Sequence, residues 1–524
     1  MARLLPWLFA AASGAAFALA LPGAGWQPLV LVFPGLLLEA LERSPGGRRP
    51  FLVGWFAGIV HWVIAVNWVL PVMDHYGGMP TVAALGCLVG MGAILGSCWA
   101  LAAGLTSLVP GRLRVWFFPA AFIALDAWRQ FWPLSFPWNP PAAVVAEVPA
   151  LLGSLPVWGA TGLGWAMVAA GAALWALFRP ASRRPGVAAL GTAAALTVIA
   201  SVLAPPARPA GDPLPVAVLQ PGSSLEEKWD PDEWQEMERK VWALTSEAAQ
   251  RGAKVVLWPE SALPFRFDTD PEYQRTVRET ARRWGVVVVL NSVAGSAEEG
   301  FTNSAFAIGP DGPVGERYDK LRLVPFGEFV PWWARLAFTQ SLVREVGMFE
   351  PGTRTVLLDA GVPVGMSICY EVVFAELAAS QVRGGAELLT TLTNDGWYGY
   401  SWAPRQHLAQ AVLRAVETRR WLARAALTGI SAFVDPSGRT VARLEVGANG
   451  VLVAAPVPCA GLTPRARFGD WWAVVAAVAA LAILVASRRG PVRYQGAQSV
   501  GSERRERRTW AGESDPPPRS RSTR

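Results

Sequence analysis

The segment from residue 362 to residue 371 reads VPVGMSICYE, an apolar and partly β-branched run that ends on Cys369 and continues into Tyr370 and Glu371. Such a run predicts a buried strand. A cysteine at the end of a buried strand, with an acid two residues on, lies where a nucleophile can meet solvent. Most cysteines on apolar runs are nevertheless small core residues. This segment alone therefore does not decide between a catalytic and a structural cysteine.

The composition of the chain indicates a membrane protein. Of the 524 residues, 52% are hydrophobic and only 17% are charged, whereas a soluble globular protein carries about 25% charged residues. Residues 1–205 are nearly all apolar, residues 213–458 alternate between predicted strands and helices, and residues 468–488 are apolar again. Strands that alternate with helices predict a layered α/β domain, here inserted between two membrane segments. The Arg-rich residues 489–524 are predicted to be a disordered tail.

Eight apolar segments are candidate membrane spans, because a span needs about 20 apolar residues. They cover residues 4–21, 27–42, 51–71, 81–109, 113–131, 157–178, 187–204 and 470–487. Alternate loops between them contain arginine, and the intervening loops contain neither lysine nor arginine. The positive-inside rule then assigns the basic loops and the tail to the cytoplasm, so the 213–458 domain is expected on the outer side of the membrane.

The net charge of +7 does not indicate a nucleic-acid partner. Residues 488–524 contain ten arginines and four acids, and they supply +6 of that charge. An Arg-rich segment beside a span is usually an orientation signal. The four cysteines form no CxxC pair and the three histidines are scattered, which argues against a disulfide framework and a zinc cluster. We therefore expect no metal and no organic cofactor.

Three polar residues stand after an apolar run or in a turn-rich loop: Glu260 after KVVLWP, Lys320 after GERYD, and Cys369 after GMSI. A thiol needs a base to become the attacking thiolate, and Glu260 can take that proton. Lys320 can stabilise the oxyanion of a tetrahedral intermediate. Each of these residues alone is more often a surface acid, a surface lysine or a core cysteine. All three together, with flanking prolines and glycines, favour a catalytic site.

The strings WPESALP (258–264), YDKLRLVPFGEFVP (318–331) and ICYEVVF (368–374) resemble the Glu-Lys-Cys motifs of the nitrilase, or carbon–nitrogen hydrolase, superfamily. With seven spans before this domain and one after it, the chain resembles the apolipoprotein N-acyltransferase family within that superfamily. FPWNP (136–140) and LTNDGWYG (392–399) are also similar to that family. The resemblance implies a nitrilase-like αββα sandwich joined to a helical bundle of about eight spans, with the sandwich on the periplasmic side of a bacterial inner membrane.

The resemblance further implies a ping-pong acyl transfer without a cofactor. Cys369 would attack an acyl ester of a membrane phospholipid, and the thioester would pass its acyl chain to the α-amino group of the S-diacylglyceryl-cysteine of an apolipoprotein. Glu260 would be the general base in both halves, and Lys320 would stabilise the oxyanion. The supporting residues at matching family positions are Glu328, Tyr370, Glu371, Trp229 and Asn303. For Trp229, an aromatic at a helix start that packs on the core is an equally good interpretation.

The apolar segment 329–349, which includes Trp332 and Trp333, predicts a loop that dips into the bilayer interface or closes over an acyl chain. A core-packing insertion is the alternative. Two other functions are open to a chain of this kind. One is a membrane-anchored amidase or nitrilase that acts on a small amide, which needs only one anchor. The other is a transporter or sensor with a non-catalytic outer domain, against which the intact Glu260, Lys320 and Cys369 argue.

Overall fold

The computed structural model describes residues 3–131, 135–296, 298, 300–329 and 349–488. The first part of the chain is helical. Its helices, numbered in chain order, are α1 (Leu5–Ala20), α2 (Phe33–Glu42), α3 (Arg49–Ala65), α4 (Val69–Pro71), α5 (Thr81–Ser107), α6 (Gly111–Trp128), α7 (Leu155–Leu177) and α8 (Arg183–Leu203). Prolines stand at the first or second position of α1, α2, α3 and α7. Proline suits this position because a helix leaves its first N–H groups unpaired.

Four described helices are long and apolar enough to cross a membrane: Thr81–Ser107, Leu155–Leu177, Pro180–Leu203 and Trp471–Arg488. The pair Arg49–Ala65 and Val69–Tyr76, bent by 68°, counts as a fifth if it forms one broken span. Helices form near all eight predicted segments, but eight spans are not confirmed. The helix α2 has only 10 residues, and α6 carries Arg112, Arg114 and Asp126 within 18 residues, so neither reaches the required apolar length.

Helix α7 is interrupted at Gly159, whose φ of 70° is left-handed. A side chain at this position would meet the Arg465 side chain, and glycine adopts such a φ without strain. The second half of α7 begins at Ala160, and the Ala160 N–H donates to Glu417 Oε1 at 2.8 Å. A carboxylate from a distant part of the chain therefore caps this half-helix.

Residues after 207 contribute two mixed β-sheets and a two-stranded pair. The strands are β1 (Arg208–Pro209), β2 (Val216–Gln220), β3 (Val255–Leu257), β4 (Val287–Ser296), β5 (Gly300–Gly309), β6 (Gly312–Pro313), β7 (Tyr318–Asp319), β8 (Leu357–Asp359), β9 (Pro363–Ile368), β10 (Leu388–Thr393), β11 (Leu422–Ala426), β12 (Ser431–Val434), β13 (Thr440–Leu444), β14 (Gly450–Ala454) and β15 (Cys459–Ala460). One sheet has the order β14-β2-β3-β4-β5-β6, with β7 beside β5, and the other has the order β13-β12-β11-β10-β9-β8.

The remaining helices lie against these sheets or lead back to the membrane. They are α9 (Leu225–Trp229), α10 (Trp234–Gln250), α11 (Pro271–Trp284), α12 (Ala375–Arg383), α13 (Ala403–Thr418), α14 (Pro464–Phe468) and α15 (Trp471–Arg488). The first sheet packs on α10 and α11, and the second sheet packs on α12 and α13. Together these layers form the unit hereafter called the sandwich domain.

Alternation along the strands explains the layers. In the first sheet Ala217 and Val256 face α10 and α11, whereas their neighbours Val216 and Val255 face the second sheet. Successive side chains of a strand point to opposite faces, so each strand serves two cores. The order helix, sheet, sheet, helix confirms the nitrilase-like αββα sandwich predicted from the sequence.

The outer helix layer of the second sheet is continuous with the membrane helices, because α12, α13 and the helices α1 to α8 share one apolar cluster. Within this contact the Gln406 side chain of α13 accepts from the indole N–H groups of Trp68 and Trp138, at 3.2 and 2.9 Å. It also donates to the Ala65 carbonyl at 3.0 Å. The sandwich domain is thus fixed on the membrane helices by a buried polar contact as well as by apolar packing.

The chain enters and leaves the sandwich domain at one place. The short strands β1 and β15 pair antiparallel, with Arg208 opposite Ala460 and Pro209 opposite Cys459. The Ala210 N–H donates to the Pro458 carbonyl at 2.8 Å and extends the pair. This two-stranded neck joins the sandwich domain to α8 and α14.

Two local predictions differ from the structure. The sequence also predicts a short strand at residues 315–317, but no strand forms there. The flanking segments Gly312–Pro313 and Tyr318–Asp319 pair with β5 instead. Gly315 has a φ of 69°, which is a turn conformation and not an extended one. The strand β11, with the sequence LARAA, lies between β10 and β12 but is not predicted by its residues, since its alanines and arginine are typical of a helix.

Candidate active site

Polar side chains meet where three strands of the sandwich end. Glu260 comes three residues after β3, Lys320 directly follows β7, and Cys369 directly follows β9. All three residues are buried. The Lys320 Nζ atom lies 3.6 Å from Glu260 Oε1, and the charges of both residues act on the Cys369 thiol. The two sheets therefore bring the three predicted site residues together at one edge of the sandwich.

Cys369 stands at a sharp turn. It begins the 3₁₀ turn Cys369–Val373 immediately after strand β9, and its φ is 53°. A non-glycine residue adopts this left-handed value at an energetic cost, and such strain often marks a functional position. Tyr370 occupies the second position of the turn, where a backbone N–H finds no acceptor within the turn itself. The strand end thus presents a thiol next to an amide donor.

Glu260 is held by hydrogen bonds to both of its oxygens. The Asn303 side chain donates to Oε1 at 3.0 Å, and the backbone N–H of Asn394 donates to Oε2 at 2.9 Å. Ser261, the next residue, has a φ of 55°. These contacts fix both oxygens of a carboxylate whose charge acts on the Cys369 thiol.

Lys320 lies between two carboxylates. Its Nζ atom donates to Glu328 Oε1 at 2.8 Å and stands 3.6 Å from Glu260 Oε1. The Asn303 Nδ2 group donates to Glu328 Oε1 at 2.9 Å as well as to Glu260. The second Glu328 oxygen accepts from the Val324 N–H at 2.8 Å. One cation and one amide therefore hold two buried acids side by side.

Burial and charge set the protonation of the thiol and the lysine. Burial raises the pKa of Cys369, the charge of Glu260 raises it further, and Lys320 only partly opposes them. Burial alone would lower the pKa of Lys320, but the carboxylates of Glu328 and Glu260 outweigh it and hold the pKa above the ordinary value. The resting site thus contains a neutral thiol and a charged lysine, so the thiol needs a base at the moment of attack.

Glu371 connects the cysteine turn to the lysine segment. Its oxygens accept from the N–H groups of Leu321, Arg322 and Ile368 at 2.7, 3.1 and 2.8 Å. Both oxygens also accept from the Tyr318 hydroxyl at 2.9 Å. Burial raises the pKa of Glu371 to about 7, and these donors limit the rise. Glu371 therefore positions the loop that carries Lys320 against the loop that carries Cys369.

Tyr370 points away from the triad and toward the membrane helices. Its hydroxyl donates to the Ser135 carbonyl at 2.7 Å, and its ring lies nearly parallel to the rings of Phe136 and Trp138. The FPWNP segment noted in the sequence therefore packs directly behind the nucleophile turn. Arg129 holds this segment by donating to the carbonyls of Phe136 and Trp138 at 2.7 and 3.0 Å.

Trp229 lies beside the triad and not in contact with it among the described residues. Its side chain is 53% exposed, and its ring meets Tyr76 and Trp397 edge-on, with ring centroids 6.1 and 5.8 Å apart. Burial lowers the pKa of the preceding residue, Lys228, and the charge of Glu260 opposes this shift. The end of α9 therefore borders the site, and Trp229 belongs to an aromatic cluster on the membrane-facing rim.

Sequence reasoning missed several residues of the site. Asn291 donates to Asn303 Oδ1 at 2.6 Å and accepts from the Ser261 N–H at 2.9 Å. His407 lies 3.1 Å from the Cys369 carbonyl oxygen, and Asp395 lies 3.0 Å from His407. A polar residue at the end of the apolar run VVVVLN signals Asn291, but His407 is buried on a helix with no sequence signal. Trp332 and Trp333, expected in an apolar loop, lie outside the described residues.

Within the described part of the chain, no group of three or more His, Cys, Asp and Glu side chains is arranged to hold a metal ion. The cations that face the triad are the side chains of Lys320 and, more distantly, Lys228. The functional groups that meet at this edge are a thiol, carboxylates and a lysine ammonium group. Such a set suits nucleophilic acyl transfer through a thioester.

Comparisons with known families match both parts of the chain. Residues 215–457 match the model of the carbon-nitrogen hydrolase family. Residues 13–173 match the model described as the apolipoprotein N-acyltransferase N-terminal domain. The first match covers the sandwich domain, and the second covers most of the helices that precede it.

Individual relatives extend this similarity over nearly the whole chain. The chain is 32% identical over 508 residues to the apolipoprotein N-acyltransferase of Geobacter metallireducens, covering 93% of this chain and 96% of that protein. It is 33% identical over 485 residues to the protein of the same name from Methylococcus capsulatus, covering 88% of this chain and 92% of the relative.

Solved structures resemble the sandwich domain more distantly. Saccharomyces cerevisiae Nit3, a member of branch 10 of the nitrilase superfamily, covers 47% of this chain at 18% identity with a TM-score of 0.38. An amidase from Nesterenkonia sp. covers 50% of the chain at 22% identity with a TM-score of 0.37. Because these TM-scores are low, the family membership of the chain is judged from the sequence matches alone.

Proposed function

The chain belongs to the apolipoprotein N-acyltransferase family, and we propose that it transfers a fatty acyl chain from a membrane phospholipid to the N-terminus of an apolipoprotein through a thioester on Cys369. One observation carries the residue assignment. A neutral buried thiol stands at a strand end in the field of a hydrogen-bonded carboxylate and a charged lysine. That arrangement, in a membrane-anchored member of this family, supports acyl transfer between two lipid-linked substrates.

In the first half-reaction Glu260 accepts the thiol proton while the Cys369 sulfur attacks the ester carbonyl carbon of the phospholipid. The Lys320 ammonium group stabilises the oxyanion of the tetrahedral intermediate. The bond from carbon to the glycerol oxygen then breaks, and Glu260 returns its proton to that oxygen. The products are a lysophospholipid and an acyl thioester on Cys369.

In the second half-reaction the α-amino group of an S-diacylglyceryl-cysteine attacks the thioester carbonyl carbon. Glu260 takes a proton from the amine, the carbon–sulfur bond breaks, and the proton passes to the Cys369 sulfur. An amide forms and the free thiol is restored. Glu328 and Asn303 keep Glu260 and Lys320 in place through both halves, and Glu371 holds the two loops together.

We assign the sandwich domain to the periplasmic side of a bacterial inner membrane. The arginine-bearing loops that flank alternate helices support this orientation by the positive-inside rule. The apolar helices, several of which leave large side chains exposed such as Val82, Phe178 and Val202, support contact with lipid. The proposed boundaries are residues 1–205, 213–458 and 468–488, and the proposed cytoplasmic tail 489–524 lies outside the described residues.

Mass spectrometry of the intact purified enzyme tests the function. The enzyme is mixed with phospholipid and no acceptor, and we expect a mass gain of one fatty acyl group that hydroxylamine removes. A diacylglyceryl peptide added afterwards should discharge the acyl group onto its amine. The matched control set is Cys369→Ala, which should gain no mass, beside Cys87→Ala, Cys98→Ala and Cys459→Ala, which should. An enzyme that takes up no acyl group but hydrolyses a small amide would instead be a membrane-anchored amidase.

A further inference from the structure

A buried polar network contacts the backbone of the nucleophile turn. The His407 Nε2 atom is 3.1 Å from the Cys369 carbonyl oxygen, and its Nδ1 atom is 3.0 Å from Asp395 Oδ1. Arg424 donates to Asp395 Oδ2 at 2.6 Å, and its Nη2 atom lies 3.1 Å from His407 Nδ1. The side chains of His407, Asp395 and Arg424 are fully excluded from solvent. The acyl-transfer steps described above use none of these groups.

The contacts determine which nitrogen of His407 carries a proton. A carbonyl oxygen only accepts hydrogen bonds, so the 3.1 Å contact with Cys369 requires a proton on Nε2. The Nδ1 atom faces the Asp395 carboxylate at 3.0 Å, which accepts hydrogen bonds, and Arg424 Nη2 at 3.1 Å, which donates them. Burial lowers the pKa of His407, and the charge of Arg424 acts in the same direction. His407 therefore donates from Nε2 to the Cys369 carbonyl.

The peptide group whose carbonyl accepts from His407 also contains the N–H of Tyr370, the residue after the nucleophile. The carbonyl of Cys369 and the N–H of Tyr370 belong to one planar trans peptide, in which the two groups point in opposite directions. A donor that holds the carbonyl on the α13 side therefore aims the amide away from α13. The left-handed φ of 53° at Cys369 carries a conformational cost, and a fixed hydrogen bond to this peptide offsets part of it.

We propose that His407, locked by Asp395 and Arg424, is a positioning residue that orients the Cys369–Tyr370 peptide so that the Tyr370 amide faces the oxyanion of the acyl-transfer intermediate. The proposal rests on the proposed role of Cys369 as nucleophile. His407 touches neither substrate nor the reacting sulfur in this role, and it acts through one backbone carbonyl.

Two substitutions separate this role from simple packing. In His407→Gln the side-chain amide reaches the position of Nε2, so it still donates to the Cys369 carbonyl. In His407→Asn the amide reaches only the position of Nδ1, so the contact with Asp395 survives and the donor to Cys369 is lost. The matched control is His75→Asn, because His75 is largely exposed and 3.7 Å from Glu226.

Each variant is measured in two reactions of the same sulfur. The first is single-turnover acylation by phospholipid, followed by intact mass. The second is alkylation of Cys369 by iodoacetamide, a displacement that develops no oxyanion. We expect His407→Asn to slow acylation by about 100-fold, the loss that follows removal of one oxyanion donor. Its alkylation rate should stay at the wild-type value, and His407→Gln should recover most of the acylation rate.

Wild-type acylation in His407→Asn, or a parallel fall of acylation and alkylation, would overturn the proposal. The Cys369→Ala enzyme separates a failure of the proposed function from a failure of the role of His407. If it still forms an acyl-enzyme, the proposed function itself fails, whereas an inactive Cys369→Ala enzyme beside a fully active His407→Asn enzyme refutes only the role of His407.

A measurement on the unaltered enzyme covers the case in which His407→Asn does not fold. The chain contains three histidines, so ¹⁵N-histidine labelling gives few imidazole signals, and the spectrum of His407→Gln identifies the one from His407. We expect a protonated Nε2 at every pH at which the enzyme is folded. A bare Nε2 cannot donate to the Cys369 carbonyl and would exclude the proposed role.

Discussion

Cys369 is a weak nucleophile in the resting site, since burial and the charge of Glu260 both raise the pKa of its thiol. Its sulfur becomes reactive only when the proton moves to Glu260, whose oxygens are already oriented by Asn303 and the Asn394 N–H. Lys320 cannot substitute as the base, because the two carboxylates beside it keep it protonated. At the scale of single residues, the local environment therefore gives each of the three side chains a different role, as base, cation or nucleophile.

The raised pKa of Cys369 has a direct consequence for its reaction with an alkylating agent. A raised pKa means that the neutral thiol persists to higher pH, so the thiolate fraction increases about tenfold per pH unit past the ordinary thiol pKa of about 8.5. We expect the alkylation rate of Cys369, followed by peptide mass spectrometry, to rise through pH 9.5 without a plateau. Glutathione measured in parallel should level off, and a Cys369 plateau near pH 8 would contradict the expectation.

Replacing the proposed base should slow formation of the acyl-enzyme. Glu260→Gln keeps an oxygen that can accept from the Asn394 N–H or Asn303, but it cannot take a proton from the thiol. We expect the single-turnover acylation rate to fall by about 10²- to 10⁴-fold, the usual contribution of a general base. Glu316→Gln, a change at an exposed acid, is the control. An unchanged rate in Glu260→Gln would reassign the base.

At the scale of elements, the half-helix that begins at Ala160 depends on a residue of α13. Glu417 Oε1 accepts from the Ala160 N–H at 2.8 Å, and Glu417 Oε2 pairs with Arg414 Nε at 2.9 Å. An acid at a helix N-terminus satisfies a free N–H and complements the helix dipole. The break at Gly159 is therefore stabilised from the sandwich domain, and not by a residue of α7.

Removing this carboxylate should destabilise the folded enzyme. Glu417→Ala leaves the buried Arg414 guanidinium without its ion-pair partner and the Ala160 N–H without an acceptor. We expect a loss of about 3–5 kcal/mol, typical of breaking a buried pair, seen as a lower midpoint of thermal unfolding in detergent. Glu247→Ala removes an exposed pair with Arg251 on α10 and should change the midpoint little. Equal midpoints for the two variants would refute the capping role.

At the scale of the whole molecule, two neighbouring residues of α13 face different partners. Gln406 binds Trp68, Trp138 and the Ala65 carbonyl, which all belong to the membrane helices and their loops. His407 contacts the carbonyl of Cys369, and the Trp138 ring lies 5.3 Å from the His407 ring. The nucleophile turn is thus supported by a helix that is itself fixed on the membrane helices.

The Gln406 contact should be required for close docking of the two parts. Gln406→Leu fills the same space but leaves the indole N–H groups of Trp68 and Trp138 without an acceptor. Two buried unsatisfied donors cost about 2–6 kcal/mol in total. We expect faster hydrogen exchange in the segment Phe136–Pro140, measured by mass spectrometry. Arg405→Gln, at an exposed neighbouring position, is the control, and unchanged exchange in Gln406→Leu would show that apolar packing alone holds the contact.

The sequence was sufficient to predict the layered α/β domain because apolar strands alternate with helices along it, and Glu260 and Cys369 each come shortly after such a strand. The sequence predicts a helix at Pro271–Trp284 and strands at Ser431–Val434 and Thr440–Leu444, and all three elements form at these residues. The number of spans was not predictable, since short and bent helices such as α2 and the Arg49–Tyr76 pair depend on their neighbours for burial.

The part of the site behind Cys369 was not predictable for a related reason. Arg424 lies in the middle of β11 and is fully buried, where a charged residue is rare. Only the fold reveals its partner, Asp395 on the neighbouring loop. His407 gives no signal either, because every residue of its helix from 403 to 418 except Arg405 is buried and no polar face marks it out. Long-range pairs of this kind are specified by tertiary packing and not by local pattern.

The two-stranded neck formed by Arg208–Pro209 and Cys459–Ala460 brings the two ends of the sandwich domain together. The chain enters and leaves this domain at adjacent points. In topology the domain is therefore a single insertion between the helices α8 and α14, and its removal need not change the path of either helix. This layout allows the sandwich domain to be inserted or exchanged as one unit. It also marks residues 208 and 460 as the graft points for building chimaeras of this scaffold.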